Sequence, residues 1–198
     1  FGISFHITLE SWKAKTGQPS ARFLWRLALL GVLGYVHGLL FCGDILAVIA
    51  VLGVPLVLLN RLGTRALLAA AVLLLLQLPQ WPEVVRVLTD PAYQPAYPRH
   101  WALYGQTTPV FSNGSFADVL ALNSWTGQAA KWWWVLETWR WPQMLGLFVC
   151  GLLVGRSGVL YDPARLRRLA RQALAAGIAG SLLMWLVQHG VDTLGLQG

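Results

Sequence analysis

Two apolar stretches laid end to end, Arg22 to Asn60, constrain this chain more than any other feature. The first, Phe23 to Cys42, carries a single ionisable side chain in its outer half, His37. At ~1.5 Å rise per residue it is about 30 Å long, the thickness of a bilayer hydrocarbon core. The second, Ile45 to Leu59, is shorter and contains Gly53 and Pro55, which predict a kinked helix. Only Gly43-Asp44 separates the two, so the pair reads as a transmembrane hairpin. Composition extends this to the rest of the chain. Charged residues make up 12%, against roughly 25% in soluble domains, and the mean hydropathy is +0.55. The expected fold is all-α, a multi-pass transmembrane helical bundle.

Charge sets the expected topology. The net charge of +7 invites a nucleic-acid reading, but its distribution argues against one. Lys13, Lys15, Arg22 and Arg26 form one basic group, Arg61 and Arg65 a second, and Arg156, Arg165, Arg167, Arg168 and Arg171 a third, with only Glu10 and Asp162 among them. Such clustering at span ends is the positive-inside pattern, with anionic lipid headgroups as its natural contact. Loops 10–21, 60–65 and 156–171 are therefore expected to be cytoplasmic. The expected spans are about 22–42, 45–59, 65–81, 141–156 and 172–188. Between the third and fourth, residues 82–135 form a long extracytoplasmic segment with Pro82, Pro91, Pro95, Pro98 and Pro109. The chain opens inside a short apolar segment, Phe1 to Leu9, and reads as a fragment of a longer membrane protein.

Within the outer segment, Ser115-Phe116-Ala117-Asp118 matches a capping box and predicts a short amphipathic helix at about 116–123 on the membrane surface. Trp125, Trp132, Trp133, Trp134, Trp139 and Trp141 predict an aromatic belt at headgroup level, with a carbohydrate- or lipid-stacking platform as the alternative. Small residues Gly146, Gly151 and Gly155 in one span, and Gly177 and Gly180 in another, predict close helix contacts. Cys42 and Cys150 sit in apolar helices and read as packing thiols, and no metal site is expected. Asn113-Gly114-Ser115 fits a glycosylation sequon.

His37 is the first candidate for chemistry, since an ionisable group at membrane depth is costly and functional by default. Gly34 and Gly38 flank it, which predicts another helix around it rather than lipid. Asp44 lies seven residues on. Its expected role is an N-cap for the second span, a role compatible with orienting His37. His6, His100 and His189 show no ligand spacing and read as incidental. Arg22, Arg26, Arg61 and Arg65 would gather at the cytoplasmic ends of adjacent spans, as charge anchors or as a phosphate site for a donor such as acyl-CoA.

The run LALLGVLGYVHGLLFCGDILAVIAVLGVPLVLL resembles the central signature of the YeiB-like bacterial inner-membrane proteins, a glycine-leucine run, a histidine, then Gly43-Asp44-Ile45-Leu46 and an apolar helix. The opening FGISF resembles the end of the family's preceding helix, and Gln143 to Gly158 its later glycine-arginine segment. That family looks like a distant relative of the transmembrane acyltransferases. The resemblance implies a larger helical bundle of which this chain is the middle, seated in the bacterial inner membrane. It also implies acyl transfer from cytoplasmic acyl-CoA to an extracytoplasmic glycan or lipid acceptor. Under it His37 is a signature residue acting as base or acyl carrier, Asp44 orients it or the acceptor, and the four arginines hold the donor phosphates. Two other classes compete: a proton-coupled transporter or export component using His37 and Asp44, and a non-catalytic assembly subunit.

Overall fold

The computed structural model describes residues 1–13, 19–90 and 92–193, and these are helical with no strand among them. Lys15, Gly17 and Pro91 lie outside the described residues. The elements are α1 (Gly2–Lys13), α2 (Pro19–Leu40), α3 (Leu46–Leu59), α4 (Thr64–Leu76), α5 (Trp81–Thr89), α6 (Arg99–Asn113), α7 (Phe116–Leu122), α8 (Gln128–Glu137), α9 (Arg140–Arg156) and α10 (Pro163–Thr193). The fold is all-α, as composition requires. Three helices are long and apolar enough to cross a membrane: Pro19–Leu40, Thr64–Thr89 and Pro163–Val187. The chain is accordingly a membrane protein. Leu46–Leu59 is apolar but shorter.

The α2–α3 hairpin closes where the sequence places it. A β-carbon at Gly34 would lie 2.3 Å from the Ala47 amide nitrogen, so the two backbones touch with no side chain between them. Pro55 sits inside an unbroken α3. Helix α9 is the hub of the packing, seated against α1, α3 and α4. Its glycines explain why. Leu74 and Leu75 cover Gly146, the backbone of Gly2 and Ile3 lies over Gly151, and His6 covers Gly155. The main core joins Phe5, Leu9, Phe23, Leu27, Leu56, Leu67, Val149 and Leu152. At one end of this core the Arg156 guanidinium donates to the carbonyls of Asn60 and Leu62 and to Asn60 Oδ1, tying α9 to the α3–α4 turn.

Four sequence expectations need correction. The third span continues past residue 81. Gln77 takes a left-handed backbone (φ 48°), a short 3₁₀ turn follows, and Pro82 near the start of α5 restarts the helix to Thr89. Segment 82–135 is mostly helix, α5 to α8: Pro82 and Pro98 lie at helix starts and Pro109 inside α6, while Pro95 stands in the short connection before α6. Similarly, the basic stretch 156–171 is a turn followed by the start of α10, whose first turn is capped by Asp162 Oδ1 accepting from the amides of Ala164 and Arg165. Lastly, α10 packs almost nothing. A β-carbon at Gly177 or Gly180 would meet no atom of another element within 4 Å among the described residues.

The tryptophans divide. Trp132, Trp134 and Trp141 pack on the interior cluster of Val48, Leu52 and Val135, while Trp125 is 81% exposed. The expected belt is in large part a wedge holding α8 against α3 and α9. Arg99 stacks over Trp133 and Arg140 over Trp134, at 4.6 and 5.7 Å. The capping box is present: Ser115 Oγ accepts from the Asp118 amide, and Asp118 Oδ2 accepts from the Ser115 amide. It opens α7 at Phe116, as the spacing predicts.

Candidate functional site

The site forms where α2 stops. Helix α2 ends at Leu40, Gly43-Asp44 turns the chain, and α3 begins at Leu46. Asp44 is buried, its side chain 1% exposed. One oxygen, Oδ2, accepts from the Ala47 amide at 3.2 Å, the capping bond expected of it. The other, Oδ1, lies 2.8 Å from His37 Nδ1. An ionised carboxylate only accepts, so in that state Nδ1 carries the hydrogen and Nε2 presents its lone pair. The His37 side chain is 53% exposed. This corrects the expectation of a helix around the histidine. Gly34 and Gly38 do face other helices, at Ala47 and at Gln128 and Lys131, but His37 stands at the edge of that packed face with about half of its side chain open.

Behind the carboxylate is a group that sequence reading missed. Lys131 of α8 is fully buried, 2% exposed, with Nζ 3.9 Å from Asp44 Oδ2. That is an ion-pair distance and too long for a hydrogen bond. Lys131 Nζ, Gln128 Nε2 and Asn123 Oδ1 are buried without hydrogen-bond partners among the described residues. Gln128 Nε2 and Lys131 Nζ both point at Gly38, where a β-carbon would lie 2.5 and 3.3 Å from them. Burial pushes the Lys131 ammonium below the ordinary lysine range, and Asp44 opposes that shift. A signal was available: a lysine among tryptophans needs a carboxylate partner, and Asp44 was the carboxylate placed in an apolar hairpin.

A π-helical turn, Asn123–Gly127, links α7 to α8 and presents both groups to α2. Asn123 Nδ2 donates to the Leu39 carbonyl at 3.0 Å. Gly127 is buried against Cys42, where a β-carbon would lie 3.0 Å from the Cys42 Cβ. Cys42 is thus a packing thiol, as expected, and Cys150 is half-buried.

His100 is not incidental. It is buried, and its Nδ1 lies 2.8 Å from Glu137 Oε2. The Glu137 carboxylate also accepts the amides of Arg99 and His100 at 3.0 Å each, capping α6 from α8. Burial acts to raise the Glu137 carboxyl, but the bonds from His100 and Arg99 outweigh it and hold it below the usual range. A carboxylate depressed by folding stabilises fully above the ordinary glutamate range, and its contribution is lost as pH falls through that range to the folded value. Amide-exchange protection at Arg99 and His100 should therefore drop on acidification and stay flat with pH in Glu137→Gln. Equal pH dependence in both would remove Glu137 as the docking group.

Arg22, Arg26, Arg61 and Arg65 are all exposed at the other end of the hairpin. Of the four, Arg26 stacks over Trp12 at 5.5 Å. No group of three metal-ligating side chains occurs among the described residues. His6 lies against Gly155, and His189 stacks on Trp185.

The chain matches no known family model, no curated protein and no solved structure.

Proposed function

We propose that this protein transfers an acyl group from cytoplasmic acyl-CoA to an extracytoplasmic acceptor such as a glycan, from a five-span bundle in the bacterial inner membrane. The spans are α2, α3, α4 with α5, α9 and α10, and the basic turns lie inside. The observation that carries the reading is the 2.8 Å contact between His37 Nδ1 and the buried Asp44 carboxylate, with Nε2 left on an open face. In the reaction Nε2 takes the proton of the acceptor hydroxyl or amine as that atom attacks the acyl carbonyl. The new bond to the carbonyl carbon forms, the carbon–sulfur bond breaks, and the imidazolium returns its proton to the departing sulfur, so the donor leaves as its thiol. Asp44 holds the ring and stabilises the imidazolium.

The four arginines support a donor whose charge and thioester are far apart. Arg26 precedes His37 by eleven residues on one helix, about 16 Å along its axis. Acyl-CoA, with phosphates at one end of a long arm and the thioester at the other, has that shape. The resemblance to YeiB-like proteins points the same way. The test supplies labelled acetyl-CoA to the basic side of membrane vesicles and follows label into lipid and glycan fractions. His37→Ala should slow transfer about 10²–10⁴-fold, the usual worth of a positioned base. An unchanged rate would take His37 out of the mechanism.

One observation favours a second reading. Lys131 beside Asp44 is a buried charged pair of the kind that couples proton movement to transport. That reading requires substrate flux that follows the pH gradient, with no covalent product.

A further inference from the structure

Asp44 has two faces, and only one of them belongs to the histidine. Its Oδ1 meets His37 on the open side of α2, and its Oδ2 meets Lys131 on the packed side. The two cationic candidates never touch the same oxygen. The carboxylate is 1% exposed, and a buried charge is stable in a fold only when a partner of opposite sign is packed against it. Helix α3 contributes only the Ala47 amide to it. On α8 the single charged group facing it is Lys131. The remaining titratable groups nearby are Cys42, which stands by Lys131, and Tyr104 of α6, whose hydroxyl is pushed up by burial and by Cys42.

We propose that Lys131 is a positioning residue for His37, acting through Asp44: its buried ammonium keeps the carboxylate ionised, and the ionised carboxylate fixes the His37 ring as the Nδ1–H tautomer with Nε2 open. The two states of Asp44 impose opposite tautomers. Ionised, it accepts from Nδ1–H and leaves Nε2 as a base. Protonated, it donates its own O–H to Nδ1, and the ring hydrogen must move to Nε2, where no lone pair remains to take a proton. Lys131 therefore decides whether the histidine can act as a base at all, without contacting it. The absence of a hydrogen bond on Nζ fits this role. At 3.9 Å the ammonium stabilises the carboxylate by charge and leaves the lone pairs of both oxygens to His37 and Ala47.

This inference deepens the acyl-transfer reading by assuming His37 works as a base, but its test needs no turnover. The full chain, labelled with ¹⁵N-histidine and placed in nanodiscs, is examined by NMR, where the two imidazole tautomers have inverted nitrogen shifts. The unmodified protein should show His37 as the Nδ1–H form at neutral pH. Lys131→Met should invert it to the Nε2–H form, and Lys131→Arg should retain the original form. Should Lys131→Met fail to fold, Lys131→Gln, neutral but able to hydrogen-bond in the buried site, supplies the same answer. It too should invert His37, whereas Cys42→Ser and Tyr104→Phe should leave the Nδ1–H form in place. An Nδ1–H His37 that survives a neutral residue at position 131 overturns the proposal. Inversion with no acyl transfer would uphold the relay and sink the enzyme.

Discussion

Asp44→Leu is expected to cost about 3–5 kcal/mol of stability, the range for removing one partner of a buried ion pair. Three things fail together. The Lys131 ammonium is left buried beside a hydrocarbon, the Ala47 amide loses its acceptor, and His37 loses its partner. The first should dominate, because a missing helix cap alone costs about 1 kcal/mol. That ranking has a consequence a single substitution cannot show. Adding Lys131→Met to Asp44→Leu removes the stranded charge and should restore most of the loss, so the double variant melts above the single one. Denaturant or thermal unfolding in detergent reads both. A double variant as unstable as Asp44→Leu would mean that Lys131 is not charged against Asp44 in the folded chain.

The second large effect comes from the hairpin that carries this carboxylate. Gly34→Val puts a β-carbon 2.3 Å from the Ala47 nitrogen and 2.9 Å from its Cα. Backbone atoms cannot rotate away as a side chain can, so α2 and α3 must separate. Overpacking usually costs about 1–3 kcal/mol, and a backbone-to-backbone clash should reach the top of that range. The same separation breaks the His37–Asp44 contact, because its two residues stand on either side of the corner. Gly31→Ala is the control. Its β-carbon would meet only the Ala50 methyl at 3.6 Å, an ordinary contact, and should be tolerated. If both variants melt like the unmodified protein, the close approach of the two helices is wrong.

What the sequence made legible was local. The hairpin, the Asp44 cap and the Ser115–Asp118 box each depend on residues a few positions apart, where spacing nearly determines geometry. What stayed hidden was distant pairing. Lys131 meets Asp44, Glu137 meets His100, and Arg156 meets Asn60 only after helices from far-apart segments have packed. Periodicity cannot reveal such partners. Segment 82–135 misled for a different reason. Its prolines read as breaks, but Pro82 and Pro98 mark helix starts, where a missing N–H costs nothing. The tryptophans misled because amphipathic rings suit a membrane interface and a protein interior alike, and only packing decides between them.

The π-helical turn at Asn123–Gly127 sets the angle at which α8 meets the rest of the chain. A regular helix advances about 100° per residue, and a π turn accommodates one extra residue within its loop. Every side chain after it is therefore rotated about the helix axis relative to an uninterrupted continuation of α7. Lys131 reaches Asp44 by virtue of this phase. Shortening the turn by one residue would leave the lysine, the aspartate and their helices all present, and point the ammonium at a different neighbour. In this sense the meeting of the two charges is encoded as a rotation, five residues of backbone upstream, as much as in the identity of either side chain.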